Sequence, residues 1–77
     1  MRKTCVNIGK EIRDELLSQG RSVTWLSQQL GCNRTNIYNI FMRDSIGTDL
    51  LMKICVALNK DFFALYTRQF MANKGED

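Results

Sequence analysis

At 77 residues the chain has room for one small domain. Its residues are 44% hydrophobic and 25% charged, the balance of a globular chain rather than a disordered one. No apolar run reaches the roughly 18–20 residues of a membrane span, and the first 20 residues lack the apolar stretch of a signal peptide, so a soluble cytoplasmic protein is expected. There are 0 His, which removes the commonest general base and metal ligand together, and no glycine-rich phosphate loop. No enzyme, cofactor or metal site is therefore expected. With 0 Pro, nothing prevents the whole chain from being helical.

Apolar spacing predicts five helices and no strand pairing. The first runs from Ile8 to Gln19, with Ile8, Ile12 and Leu16 on one face, Leu17 beside them, and Gly20 as the terminator. Ser22 is the expected N-cap of a second helix, Val23 to Leu30, which turns Leu26 and Leu30 inward and leaves Trp25 at the core edge. Gly31 closes that helix, Cys32 links, and Asn33 caps a third helix from Arg34 to Met42 with Ile37, Ile40 and Phe41 as its buried stripe. A fourth helix, Asp49 to Leu58, is expected to start from Thr48 as cap, bury Leu50 or Leu51 with Ile54 and Leu58, and end at Asn59 in a left-handed conformation. Asp61 is the expected cap of a short fifth helix, residues 62–67, that buries Phe62, Leu65 and Tyr66. Residues 1–7 read as an N-terminal arm, 8–67 as the domain, and 68–77 as a frayed polar tail.

Charge is unevenly spread. The net +3 is matched by Arg21, Arg34 and Arg43, which lie in the stretch 16–43 that contains no acid, while the rest of the chain balances. A polyanion meets no carboxylate repulsion there. Cys5, Cys32 and Cys55, at spacings that fit no zinc or redox motif, read as thiols of a reducing compartment, with an intermolecular disulfide or redox switch left open.

The gap between the second and third helices is about three residues with a glycine, as a helix-turn-helix unit requires. Off its buried stripe the third helix carries Arg34, Thr35, Asn36, Tyr38 and Asn39. An ordinary solvated face is rich in Lys and Glu, whereas these side chains suit base edges. Arg forks onto guanine O6 and N7, Asn pairs with adenine N6 and N7, and Thr or Tyr meets a thymine methyl or a phosphate. Arg34, Thr35 and Asn39 form the line expected to read bases, flanked by Asn36 and Tyr38. Asn33 is first a cap and also a phosphate ligand, Arg43 a phosphate contact, and the amides near Ser22 and Val23 a second phosphate site at a helix N-terminus.

From Ile8 to about Leu65 the chain resembles the Cro/C1-type (XRE-like) helix-turn-helix regulators. The resemblance is carried by IGKEIRDELLSQG, SVTWLSQQLG, NRTNIYNIF and DLLMKICVALNKDFFAL. It implies a compact all-α, five-helix, lambda-repressor-like domain with Ser22 and Asn33 as caps and with Arg34, Thr35 and Asn39 at base-reading positions. Val23 stands where the family often has a glutamine, and Phe41, Met42 and Arg43 stand where it often has a glutamate and a glycine. The implied function is sequence-specific binding of double-stranded DNA as a transcriptional regulator, most naturally a repressor. The implied partner besides a pseudo-palindromic operator is a second copy of the chain, met through the C-terminal end, where Phe63, Tyr66, Phe70 and Met71 cluster. Phe63 and Tyr66 could equally complete the core. A protein-interaction adaptor or antitoxin-like module on the same fold is the alternative function.

Overall fold

The computed structural model describes residues 6–75, and within them every regular element is helical. The helices are α1 (Ile8–Ser18), α2 (Val23–Leu30), α3 (Arg34–Phe41), α4 (Thr48–Leu58) and α5 (Phe63–Gly75). Cys5 and the first residues of the expected arm lie outside the described residues, as do Glu76 and Asp77.

Local chemistry sets most of the boundaries. Asn7, Ser22 and Asn33 are extended N-caps whose side chains accept from the amide three residues on, in α1, α2 and α3 respectively. The C-termini of α1, α2 and α4 share one solution. At the end of α2, the Cys32 amide donates to Ser27 O at 3.0 Å across Gly31, which sits at φ 70°. Arg21 to Leu16 O and Lys60 to Cys55 O repeat that bond across Gly20 and Asn59. Asn59 is the single non-glycine residue at positive φ among the described residues, as its sequence position suggested.

Several boundaries differ from the sequence expectation: α1 and α3 each stop one residue sooner, at Ser18 and Phe41, with Gln19 and Met42 as their C-caps. Thr48 is the first residue of α4 and Gly47 its cap, with no side-chain hydrogen bond. The fifth helix begins at Phe63, one residue after the buried Phe62, and continues through Gly75 instead of fraying after Thr67. Ala64, Leu65, Arg68, Gln69, Met71 and Ala72 are strong helix formers with no breaker among them. The Val6 amide also donates to Gln69 Oε1 at 2.9 Å and ties this helix to the start of the described chain.

The core is Ile8, Ile12 and Leu16 of α1, Leu26 of α2, Ile37 and Ile40 of α3, Leu51, Ile54 and Leu58 of α4, and Phe62. Val23, Trp25, Leu30, Phe41, Leu50, Leu65 and Tyr66 pack around it, half-buried, and burial pushes the Tyr66 phenol up from its ordinary pKa. Leu17, expected beside the buried face, points outward and is 65% exposed. Ser27 takes a buried place that no apolar pattern marks, its hydroxyl donating to Thr24 O at 2.7 Å. At the far end of α1, Gln19 Nε2 donates to Leu58 O at 2.7 Å and so ties α1 to the end of α4.

One close approach fixes α1 against α3. The Gly9 amide donates to Arg43 O at 2.9 Å, just beyond the end of α3. A Cβ on Gly9 would lie 2.5 Å from the carbonyl oxygens of Phe41 and Arg43, with the Ile40 oxygen equally in the way. Only glycine admits this contact. It also brings the positive start of α1 to the negative end of α3, and one orphan amide of α1 finds its acceptor just past that end.

Candidate nucleic-acid interface

Helix α3 packs against α1 and α2 through Ile37 and Ile40, so its opposite side is turned to solvent. Arg34, Thr35, Asn36 and Asn39 are exposed there, and Tyr38 is 54% exposed. The five base-reading candidates therefore share one open helix, with no carboxylate anywhere on it. Their positions around the axis differ. Thr35 and Asn39 lie on the outermost line, four residues apart. Asn36 and Asn39 border a cleft against α4, together with Leu30, Cys32, Ile40, Arg43, Leu50 and Lys53. Tyr38 faces the other way, into a cleft against α1, its ring edge-on to Phe41 with centroids 6.2 Å apart.

The three-residue turn Gly31–Cys32–Asn33 places α3 directly after α2. Asn33 is exposed, and its Oδ1 accepts from the Asn36 amide at 3.0 Å, which leaves the Arg34 and Thr35 amides pointing outward from the first turn. Ser22 does the same at the start of α2, accepting from the Trp25 amide at 2.9 Å. The Val23 side chain is half-buried and packed on the core, so only its backbone amide can meet a ligand. Arg43 is exposed and unpaired among the described residues. Arg21 lies with its guanidinium carbon 4.4 Å from the Trp25 ring centroid, a cation–π contact beside the same helix start.

Several residues at this surface carry no signal in the linear sequence. Lys10 and Arg13 line the α1-side cleft, and Lys53 lines the α4-side cleft, although all three lie outside the acid-free stretch. Lys10 and Arg13 share one carboxylate, Asp14, at 3.2 and 3.7 Å, which leaves one positive charge in excess there. Met42, past the last turn of α3, is 86% exposed, and it stands with Leu17, Val23, Tyr38 and Phe41 around the α1-side cleft. The heptad spacing of Thr35 and Met42 was the available clue to that exposure. Cys32 and Cys55 are half-buried free thiols.

The geometry is that of an all-helical domain presenting one short, acid-free helix between two clefts with basic borders. No protein-family model, curated protein or solved structure matches the chain. No helix among the described residues is long and apolar enough to cross a membrane.

Proposed function

We propose that this protein is a sequence-specific double-stranded DNA-binding transcriptional regulator of the Cro/C1 helix-turn-helix kind, in which α2 and α3 form the DNA-binding unit and α3 enters the major groove. The observation that carries this reading is the composition of the exposed side of α3: Arg34, Thr35, Tyr38 and Asn39 open to solvent, with no acid on the helix. Arg34 and Thr35 belong to the first turn, the end that reaches base edges in this docking mode. Ser22, Asn33 and the amide of Val23 are assigned to phosphates at the starts of α2 and α3. Selection of bound duplexes from a random pool tests the reading directly. It is expected to return one half-site repeated as a pseudo-palindrome; a pool that never enriches would refute it.

A small domain reading four or five base pairs alone would meet too many sites in a genome, so the functional unit is proposed to be a homodimer. Phe70 and Met71 are 61% and 59% exposed on the outer half of α5, which supports the C-terminal end as the contact. Phe63 and Tyr66 already pack on the core, so they contribute an edge rather than the centre of such a surface. A dimer should sediment at about twice the mass of a Phe70→Ser/Met71→Ser variant. If both run as monomers at high concentration, with and without operator DNA, the dimer is refuted.

Arg34→Ala is expected to cost about 1–3 kcal/mol of operator affinity and to relax preference at one base pair, measured by titrating single-base operator variants. A loss equal across all sequences would reassign Arg34 to a phosphate.

The exposed Leu17, Tyr38 and Met42 favour a second reading, a protein-binding adaptor. Salt separates the two: DNA affinity falls steeply as salt rises, while an apolar protein contact barely responds.

A further inference from the structure

The two clefts flank α3 on opposite sides, and each gathers cations from separate elements. On the α4 side Arg43, from just past α3, and Lys53, from the second turn of α4, border one cleft with Asn36 and Asn39. Of these two, Asn36 lies further round the helix toward α4 and Asn39 on the outermost line. Neither cation forms an ion pair among the described residues, although Asp44 follows Arg43 and Asp49 lies one turn before Lys53. On the α1 side Lys10 and Arg13 border the other cleft together with Val23, whose amide opens the positive end of α2. A helix with its side chains is about 10–12 Å across, and the major groove is about 12 Å wide. A helix filling that groove has one sugar-phosphate wall on each flank, where these cations stand.

Resting on the proposed function, we propose that the two DNA backbones are held by two separate phosphate seats: Arg43, Lys53 and Asn36 on one strand, and Lys10, Arg13 and the start of α2 on the other. The ligand of each seat is a phosphodiester of duplex DNA. Asn36 is thereby a backbone contact, and base reading is left to Arg34, Thr35 and Asn39, with Tyr38 at the α1-side edge.

The test is salt-titrated binding of the full chain to its selected duplex. Each phosphate neutralised contributes about 0.9 to the slope of log affinity against log salt. Counted per protomer of the proposed homodimer, the slope is expected to become shallower by about 1.8 in Arg43→Ala/Lys53→Ala, and by twice that for the dimer on its whole operator. In Lys10→Ala/Arg13→Ala it should fall by about 0.9–1.8, the lower figure applying if Asp14 neutralises one cation throughout. Base preference should stay the same in both, and Arg68→Ala/Lys74→Ala on α5 should leave slope and preference unchanged. All six side chains are exposed, so thermal unfolding should not move. An arm that does not depend on the variants places neutral methylphosphonates along one backbone wall of the groove at a time, which is one strand in the first half-site and the opposite strand in its symmetry mate. Each should weaken the wild type and have no effect on the double variant that lacks the matching seat. Unchanged slopes, altered base preference, or methylphosphonate effects shared equally by both double variants would each overturn the seats while leaving DNA binding in place. If the wild-type chain binds no duplex, the functional reading and the seats fall together. Inorganic phosphate should weaken binding only as much as another salt of equal ionic strength. Stronger competition would mark the clefts as free-phosphate sites and overturn the assignment to the DNA backbone.

Discussion

Gly9→Ala is expected to destabilise the domain by about 3 kcal/mol, read as a lower denaturant midpoint at unchanged slope. The sign makes the test sharp. Alanine in a helix ordinarily gains about 0.5–1 kcal/mol over glycine, so helix propensity alone predicts a more stable protein. The close approach predicts the reverse. The atoms that an added methyl would meet are carbonyl oxygens of Ile40, Phe41 and Arg43, and backbone cannot swing aside as a side chain can. Relief requires α1 to lift away from α3, which stretches the 2.9 Å bond from the Gly9 amide to Arg43 O and leaves both groups poorly partnered. A variant as stable as the wild type would show that α1 does not lie against α3 in this way.

The second large effect is expected at Leu26. It is fully buried, and it is the single apolar side chain that α2 sinks completely into the core. Leu26→Ala removes buried methyl groups and leaves a cavity between α2 and its neighbours α3 and α4, at a cost of about 3–4 kcal/mol. A domain of this length has a total stability of roughly 4–12 kcal/mol, so a large part of the folded population is at stake near physiological temperature. Leu17→Ala provides the contrast. Its side chain is 65% exposed, and its truncation should shift stability by no more than about 0.5 kcal/mol. Chemical denaturation of the two variants side by side checks the expected gap, and equal losses would contradict the burial pattern.

These two leucines mark where sequence reading succeeds and where it stops. Leu26 follows from period and capping, because Ser22 and Gly31 set both ends of α2 and so fix which residue faces inward. The caps of α2 and α3, the left-handed Asn59 and the paired isoleucines of α3 were legible for the same reason: each depends on residues within a few positions of it. Leu17 sits beside Leu16, and local spacing alone does not separate the neighbour that faces the core from the one that faces water. Thr48 looked like a cap because its hydroxyl suits one, yet the chain enters α4 one residue earlier in extended form at Gly47. The length of α5 was missed because its polar residues resemble a tail, while its strong helix formers and the tie from Val6 to Gln69 extend it.

The candidate interface divides along the same line. Arg34, Thr35, Asn36, Tyr38 and Asn39 were visible as an unusual helix face because they belong to one helix. Lys10, Arg13 and Lys53 were not, since charge counted along the chain assigns them to balanced stretches, and only packing brings α1 and α4 to the flanks of α3. The role of Gly9 was likewise silent, because what it accommodates lies more than thirty residues away.

That distant contact bears on how portable the α2–α3 unit is. The chain just past the end of α3 is anchored by an amide supplied from α1, and not by the capping residues of α3 alone. Transplanting residues 22–43 into another scaffold would therefore carry the outward side chains but forfeit the joint that sets the pitch of their helix. A graft that keeps its specificity would need the opening turn of α1 as well, so the smallest transferable unit here is two separated segments, not one.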